Sequence, residues 1–245
     1  MVTVSQRGVV FFRKQDSLTN ELQKQFIQRL GELSGKPNTS TLHVHPILNN
    51  TSEFGVGDDQ ISTISSAQRK QLFGNEPHKN KRRYDSAIWH SDIQFEENPA
   101  DYTSLRLTQL PSTGGDTLWA SGYDLYDRFS PAYQKFFDGL TATYVGDGFI
   151  RAIDQGKAKL YDGTRGSPAN VGAHLAAVHP VVRTNPVTGW KSIYAIGGFP
   201  KQINELNPEE SSELLKKFYD TILANHDLQV RFKWRNKNDI GESPI

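Results

Sequence analysis

"AIWHSDIQF", residues 87–95, places an imidazole and a carboxylate two residues apart, His90 and Asp92, inside an apolar segment built from Ile88, Trp89, Ile93 and Phe95. Read as a strand, the segment puts both side chains on one face, roughly 7 Å apart along the backbone, with tips free to converge on one ion. Imidazole plus carboxylate with open positions is the ligand set of non-haem Fe(II), which takes a second His to complete a facial triad. A strand His hydrogen-bonded to a nearby Asp satisfies the same pattern without a metal. The rest of the chain has to separate the two readings.

Composition narrows the classes. The chain has 245 residues, 36% hydrophobic and 22% charged, enough for a sizeable core and against general disorder. Lys and Arg number 28 against 27 Asp and Glu, a net charge of +1, so neither nucleic acid nor an anionic membrane is called for as the main partner. There is no Cys, so a metal site must use His and carboxylates. No stretch reads as a signal peptide or a transmembrane span, and the expected location is cytoplasmic.

Periodicity predicts a single domain over 1–245, mainly β with flanking helices (α+β). "GVVFFR" (8–13), "TLHVHPIL" (41–48, stopped by Pro46), "TSLRLTQL" (103–110) and "LTATYVG" (140–146) read as strands, as does the part of "PSTGGDTLWAS" (111–121) after its turn. "VHPVVRTNPVTGWKSIYAI" (178–196) reads as two strands around a turn at "NPVTG". In "LQVRFKWR" (228–235), Leu228, Val230, Phe232 and Trp234 alternate against polar residues. Helices are predicted over 18–33, with Thr19 as cap and Leu22, Phe26 and Leu30 on its buried face, and from Ser130-Pro131 through Phe137. A third starts at Asn207, where Pro208 and Glu210 form a capping-box pattern and Leu214, Phe218 and Ile222 make the buried face. Residues 49–86, with "HKNKRRYD" at 78–85, read as a solvated loop leading into the His90 segment, a lid by position; 150–174 reads as a polar excursion.

Four ordered blocks carry a family resemblance: "WHSDIQF" (89–95), "TQLPSTGGDTLWAS" (108–121), "HPVVRTNPVTGWKSIY" (179–194) and "LQVRFKWRNKNDI" (228–240). Together they resemble the taurine dioxygenase (TauD/TfdA) family, and most of all its fungal sulfonate/2-oxoglutarate dioxygenases, over nearly the whole chain. The resemblance implies a double-stranded β-helix (jelly roll) and Fe(II) held by two His and one Asp, with 2-oxoglutarate as co-substrate. It implies that O2 is split and 2-oxoglutarate is decarboxylated to succinate and CO2 while a substrate carbon is hydroxylated. For a sulfonate, that hydroxylation releases sulfite and an aldehyde. By matching positions, His90 and Asp92 become iron ligands, Thr117 binds a 2-oxoglutarate carboxylate, and His45 contacts substrate. Leu48 stands where the family has a substrate-contacting Tyr, which favours a sulfonate other than taurine. A homo-oligomer is also implied.

The third ligand is where residues and resemblance part. From position alone, His179 is the best-placed downstream His, and a cupin-like metal binder would use it; His174 and His226 sit in surface contexts. The family has a non-ligand His at the His179 position, so a buried, hydrogen-bonded His is the expectation there. The family's distal His and its 2-oxoglutarate-binding Arg find no counterpart after "NDI", where the chain reads "GESPI". That predicts a jelly roll incomplete at its C-terminus, and an alternative in which the chain is an inactive binding protein or fragment.

Overall fold

A computed structural model describes residues 1–50, 55–73, 89–235 and 237–244. Every strand pairing in it is antiparallel, in four small sheets. In the first, β10 (Ile240–Pro244) lies between β1 (Val10–Phe12) and β2 (Tyr102–Arg106). β3 (Thr117–Ala120) pairs β9 (Gln229–Phe232), and β4 (Thr141–Val145) is central between β5 (Ala176–Pro180) and β8 (Pro200–Ile203). β6 (Val182–Thr184) and β7 (Lys191–Ile193) form a hairpin. Its turn is closed by the Asn185 side chain, which accepts from the Val187 and Thr188 amides, with Gly189 at φ 72°.

The main core lies between the β4 sheet and the helices α4 (Gly122–Asp127), α5 (Pro131–Phe137) and α7 (Pro208–Ala224). Phe137, Ala142, Tyr144, Val181, Ile203 and Phe218 are fully buried there, and Phe129, Phe137 and Phe218 meet edge to face. α7 begins as its sequence predicts. Asn207 accepts from the Glu210 amide, the Glu210 carboxylate accepts from the Asn207 amide, and Leu214, Phe218 and Ile222 face inward. The strand predicted from 178 splits at Val181. Its N–H bonds Leu140 and its carbonyl accepts from Tyr194, so it joins two sheets.

Several expectations are corrected. α2 (Asn20–Ser34) has the Thr19 cap, but of its predicted buried face only Leu30 is buried, at 4% exposure; Leu22 and Phe26 keep 48% and 40%. α2 covers a small cluster of Val4, Leu30 and Tyr102, and Phe26 meets Phe12 edge to face. Val230 is likewise exposed while Leu228, Phe232 and Trp234 are buried, because β9 belongs to a two-stranded ribbon rather than a covered layer. No strand forms over 41–48. Helix α1 (Val2–Arg7) precedes the first predicted strand, and helices α3 (Ser66–Phe73) and α6 (Asp147–Asp154) form within or at the edge of segments read as irregular. Of the 49–86 loop, read as a lid, residues 51–54 and 74–86, including the run 78–85 read as solvated, lie outside the described residues. β10 supplies strand pairing where "GESPI" gives little strand signal. It buries Glu242 opposite Ser104, and burial pushes that carboxyl up to about 8 against a hydrogen bond from Ser104. Among the described residues no helix is long and apolar enough to cross a membrane.

Candidate active site

His90 and Asp92 do converge, but not on a strand. Residues 92–95 form a turn, and the residue after Asp92, Ile93, is buried with a left-handed backbone at φ 49°. The turn, not strand alternation, brings His90 Nε2 to 3.2 Å from Asp92 Oδ1. Both side chains are half open, at 46% and 49%. Behind them the backbone is packed without slack. Gly197 has φ +98°, and a Cβ there would lie 2.3 Å from the Trp89 carbonyl oxygen and 2.9 Å from His90 Cβ, so this approach requires glycine.

The Asp92 side chain reaches solvent, yet protein atoms crowd around its carboxyl. Burial opposes its ionisation, but the His90 hydrogen bond, the electrostatic pull of His90 and His45 and a hydrogen bond from Thr103 together outweigh that and hold the carboxyl below the usual range. His45 comes from the 41–48 segment. Its Nδ1 accepts from the Ile47 and Leu48 amides at 3.2 and 3.0 Å, so the ring proton resides on Nε2. Burial, with His43 adding to it and Asp92 and Glu96 opposing, pushes His45 down to about 3. It is therefore a neutral donor at physiological pH.

Aromatic rings cluster beside His45 and His90. Phe149 meets the His45 ring edge to face at 4.9 Å, and Phe95 and Phe199 pack with it at 5.4 and 6.1 Å. Phe199 also faces the His90 ring at 6.3 Å. Tyr194, whose hydroxyl burial pushes up to about 12, stays protonated beside this group.

Thr117 is placed differently. It opens β3, and its hydroxyl oxygen accepts from the Trp234 indole N–H at 2.9 Å, which leaves its own O–H to donate elsewhere. His179 donates its Nε2–H to the Glu96 carbonyl at 2.9 Å, lies between the Tyr144 and Tyr194 rings, and is lowered by burial. It is a hydrogen-bonded interior His, so the cupin-like alternative loses its third ligand. His174 and His226 are exposed.

Two donors to one ion at about 2.0–2.2 Å, on adjacent coordination positions, stand about 3 Å apart. The His90–Asp92 separation, with the carboxylate ionised, fits a divalent cation of that kind. Among the described residues no group of three or more His, Asp or Glu gathers to hold a metal.

Sequence reasoning missed Thr103, Phe149 and Phe199. Thr103 gave no local signal, and for Phe149 and Phe199 it was only a ring beside glycines in "GDGFI" and "GGFP".

Comparison with known proteins agrees with the four blocks. Residues 3–240 match the family described as "Taurine catabolism dioxygenase TauD, TfdA family". The alpha-ketoglutarate-dependent dioxygenase btcD of Neocamarosporium betae is 48% identical over 248 residues, covering 98% of this chain and 71% of that protein. An alpha-ketoglutarate-dependent sulfonate dioxygenase of Saccharomyces cerevisiae is 30% identical over 235 residues, 94% of this chain and 50% of that one. The crystal structure of a taurine dioxygenase from Burkholderia xenovorans superposes with a TM-score of 0.65 at 25% identity, over 97% of this chain and 66% of that chain. The chain thus spans between half and about 70% of the length of these relatives.

Proposed function

The chain belongs to the TauD/TfdA family of alpha-ketoglutarate-dependent dioxygenases, and on that premise we propose that it hydroxylates a sulfonate, using Fe(II) and 2-oxoglutarate and releasing sulfite and an aldehyde. The observation that carries this reading is the convergence of His90 Nε2 and the ionised Asp92 carboxylate at 3.2 Å, beside a cluster of aromatic rings. When bound, iron would supply the oxidising chemistry, with 2-oxoglutarate and O2 as co-reactants.

The chain's own groups do the rest. His90 and Asp92 hold the cation. Thr117 donates its O–H to a 2-oxoglutarate carboxylate, its oxygen lone pair being engaged by Trp234. His45 donates Nε2–H to a sulfonate oxygen; as a neutral donor it recognises the oxygen by hydrogen bonding rather than by charge. Phe149 and Phe199 exclude water and favour an apolar carbon chain next to the sulfonate. The double-stranded β-helix belongs to the same proposal, supported by the antiparallel strands and by the likeness to a taurine dioxygenase. So do a cytoplasmic location and a homo-oligomer.

The test is an anaerobic titration with Fe(II) and 2-oxoglutarate, followed through the visible band of the chelate, then O2 and a panel of sulfonates with sulfite measured. A saturable band and 2-oxoglutarate-dependent sulfite support the proposal. A folded protein that shows neither supports the second reading, an inactive binding member of the family.

A further inference from the structure

Three segments meet behind Asp92 and His45, and a charged pair that the chemistry above does not use joins them. Arg165 donates from Nε and Nη2 to the two carboxylate oxygens of Glu96 at 2.6 and 2.9 Å, and from Nη1 to the Gly172 carbonyl at 3.0 Å. His43 Nε2 stands 3.1 Å from Glu96 Oε1. Arg165 is 1% exposed and Glu96 2%. Charges this deep are costly to desolvate, and packed apolar residues of similar volume are commonly as stable or more so. Stability alone therefore does not explain the pair.

Its placement does. Glu96 ends the turn that carries Asp92. His43 precedes His45 by two residues. Arg165 sits on the 161–172 loop, which is bonded to both. The Thr41 amide donates to Gly166 at 2.9 Å and the Tyr161 amide to Pro46 at 2.8 Å. Asn98 donates from its side chain to Ser167 Oγ at 3.0 Å and from its amide to Asn170 Oδ1 at 2.9 Å. The turn itself stores strain, since a β-branched residue with φ 49° persists only where its surroundings over-determine it. Here the determinants are the Arg165 fork on Glu96, the His179 bond to the Glu96 carbonyl, and Gln94 donating to the Tyr194 carbonyl at 2.6 Å.

We propose that Arg165 and Glu96, with His43, are positioning residues: they lock the strained Asp92 turn and the His45 segment into one register, so that carboxylate and imidazole are held in one fixed arrangement. The catalytic meaning of that register rests on the dioxygenase reading; the register itself does not.

Amide hydrogen exchange tests it directly, because the Ile47 and Leu48 amides that hold His45 Nδ1 report its seat. In Glu96→Gln and Arg165→Lys, amides of 41–49 and 91–98 are expected to exchange about tenfold faster, while those of β4 and α7 keep their protection. Fe(II) affinity in the same variants is expected to fall about tenfold, as for groups that orient metal ligands. A control at the surface pair Lys216–Asp220, Lys216→Ala, is expected to change neither. Unchanged exchange in the two segments, or a uniform rise that tracks the melting temperature, overturns the proposal. If the single variants do not fold, the uncharged pair Glu96→Leu with Arg165→Met takes their place; exchange like the wild type in that protein also overturns it. Failure of the wild type to take up Fe(II) sinks the dioxygenase reading, and the exchange result still decides the clamp.

Discussion

The β4 layer with α7 and the Asp92 turn are built on opposite principles. In the first, apolar residues at regular spacing are buried in regular elements: Phe218 from α7 and Ala142 and Tyr144 from β4 are fully enclosed. In the second, no regular element is present; a strained turn, a loop carrying His45 and a loop carrying Arg165 are fixed by side-chain bonds and a close glycine contact. Layers of the first kind supply free energy that is roughly proportional to area and tolerant of detail. Junctions of the second kind supply geometry, and one misplaced atom is felt.

Phe218→Ala is expected to have the largest effect, about 3–5 kcal/mol lost in chemical denaturation, because its ring is fully buried among Phe129 and Phe137. A loss below about 1 kcal/mol would break the assignment of this layer as the main source of stability. Gly197→Ala is next, at roughly 2–3 kcal/mol, since a Cβ meets the Trp89 carbonyl and the φ of +98° is unfavourable for alanine. Here Fe(II) uptake is expected to fall out of proportion to stability, as His90 is displaced; uptake matching the wild type would contradict the geometry described.

Glu242→Gln is expected to gain stability at pH 7, by roughly 3 kcal/mol. Burial raises the folded-state carboxyl from 4.5 to about 8, so the native chain holds a proton that the unfolded chain has released. The contribution is fully present below about pH 4.5 and is lost as pH rises through about 8. Denaturation midpoints from pH 5 to 9 should fall more steeply for the wild type than for the variant; parallel curves would show that Glu242 is solvated. The smallest effect is expected of Asn207→Ala, about 1 kcal/mol from the lost capping box, with Fe(II) binding unchanged because α7 lies in the core layer. A change in metal affinity there would mean that the two regions are coupled.

The same contrast explains what could be read beforehand. α7 was legible to its first residue, because a capping box and a four-residue apolar repeat are local signals and its buried face lies on a broad core. α2 showed the same kind of repeat and was misjudged, because only the tertiary structure says how much surface there is to cover Leu22 and Phe26. His90 and Asp92 were legible as a pair, and four ordered blocks were enough to identify the family. That the pair sits on a turn was not legible: "AIWHSDIQF" has strand composition, and the left-handed Ile93 is imposed by contacts remote in sequence. Glu96 and Arg165, 69 residues apart, carried no signal that they would meet.

The sequence by itself determined the family, the chemistry available at His90, Asp92, Thr117 and His45, and the elements whose signals are local. Only the tertiary structure decided how those groups face one another, that His45 is neutral with its proton on Nε2, that His179 is spent on the Glu96 carbonyl, and that a buried charge pair joins the loops. The physical reason is range. Caps, turns and amphipathic repeats are settled within a few residues, whereas a proton's location, a buried ion's partner and a strained dihedral depend on groups brought together from across the chain.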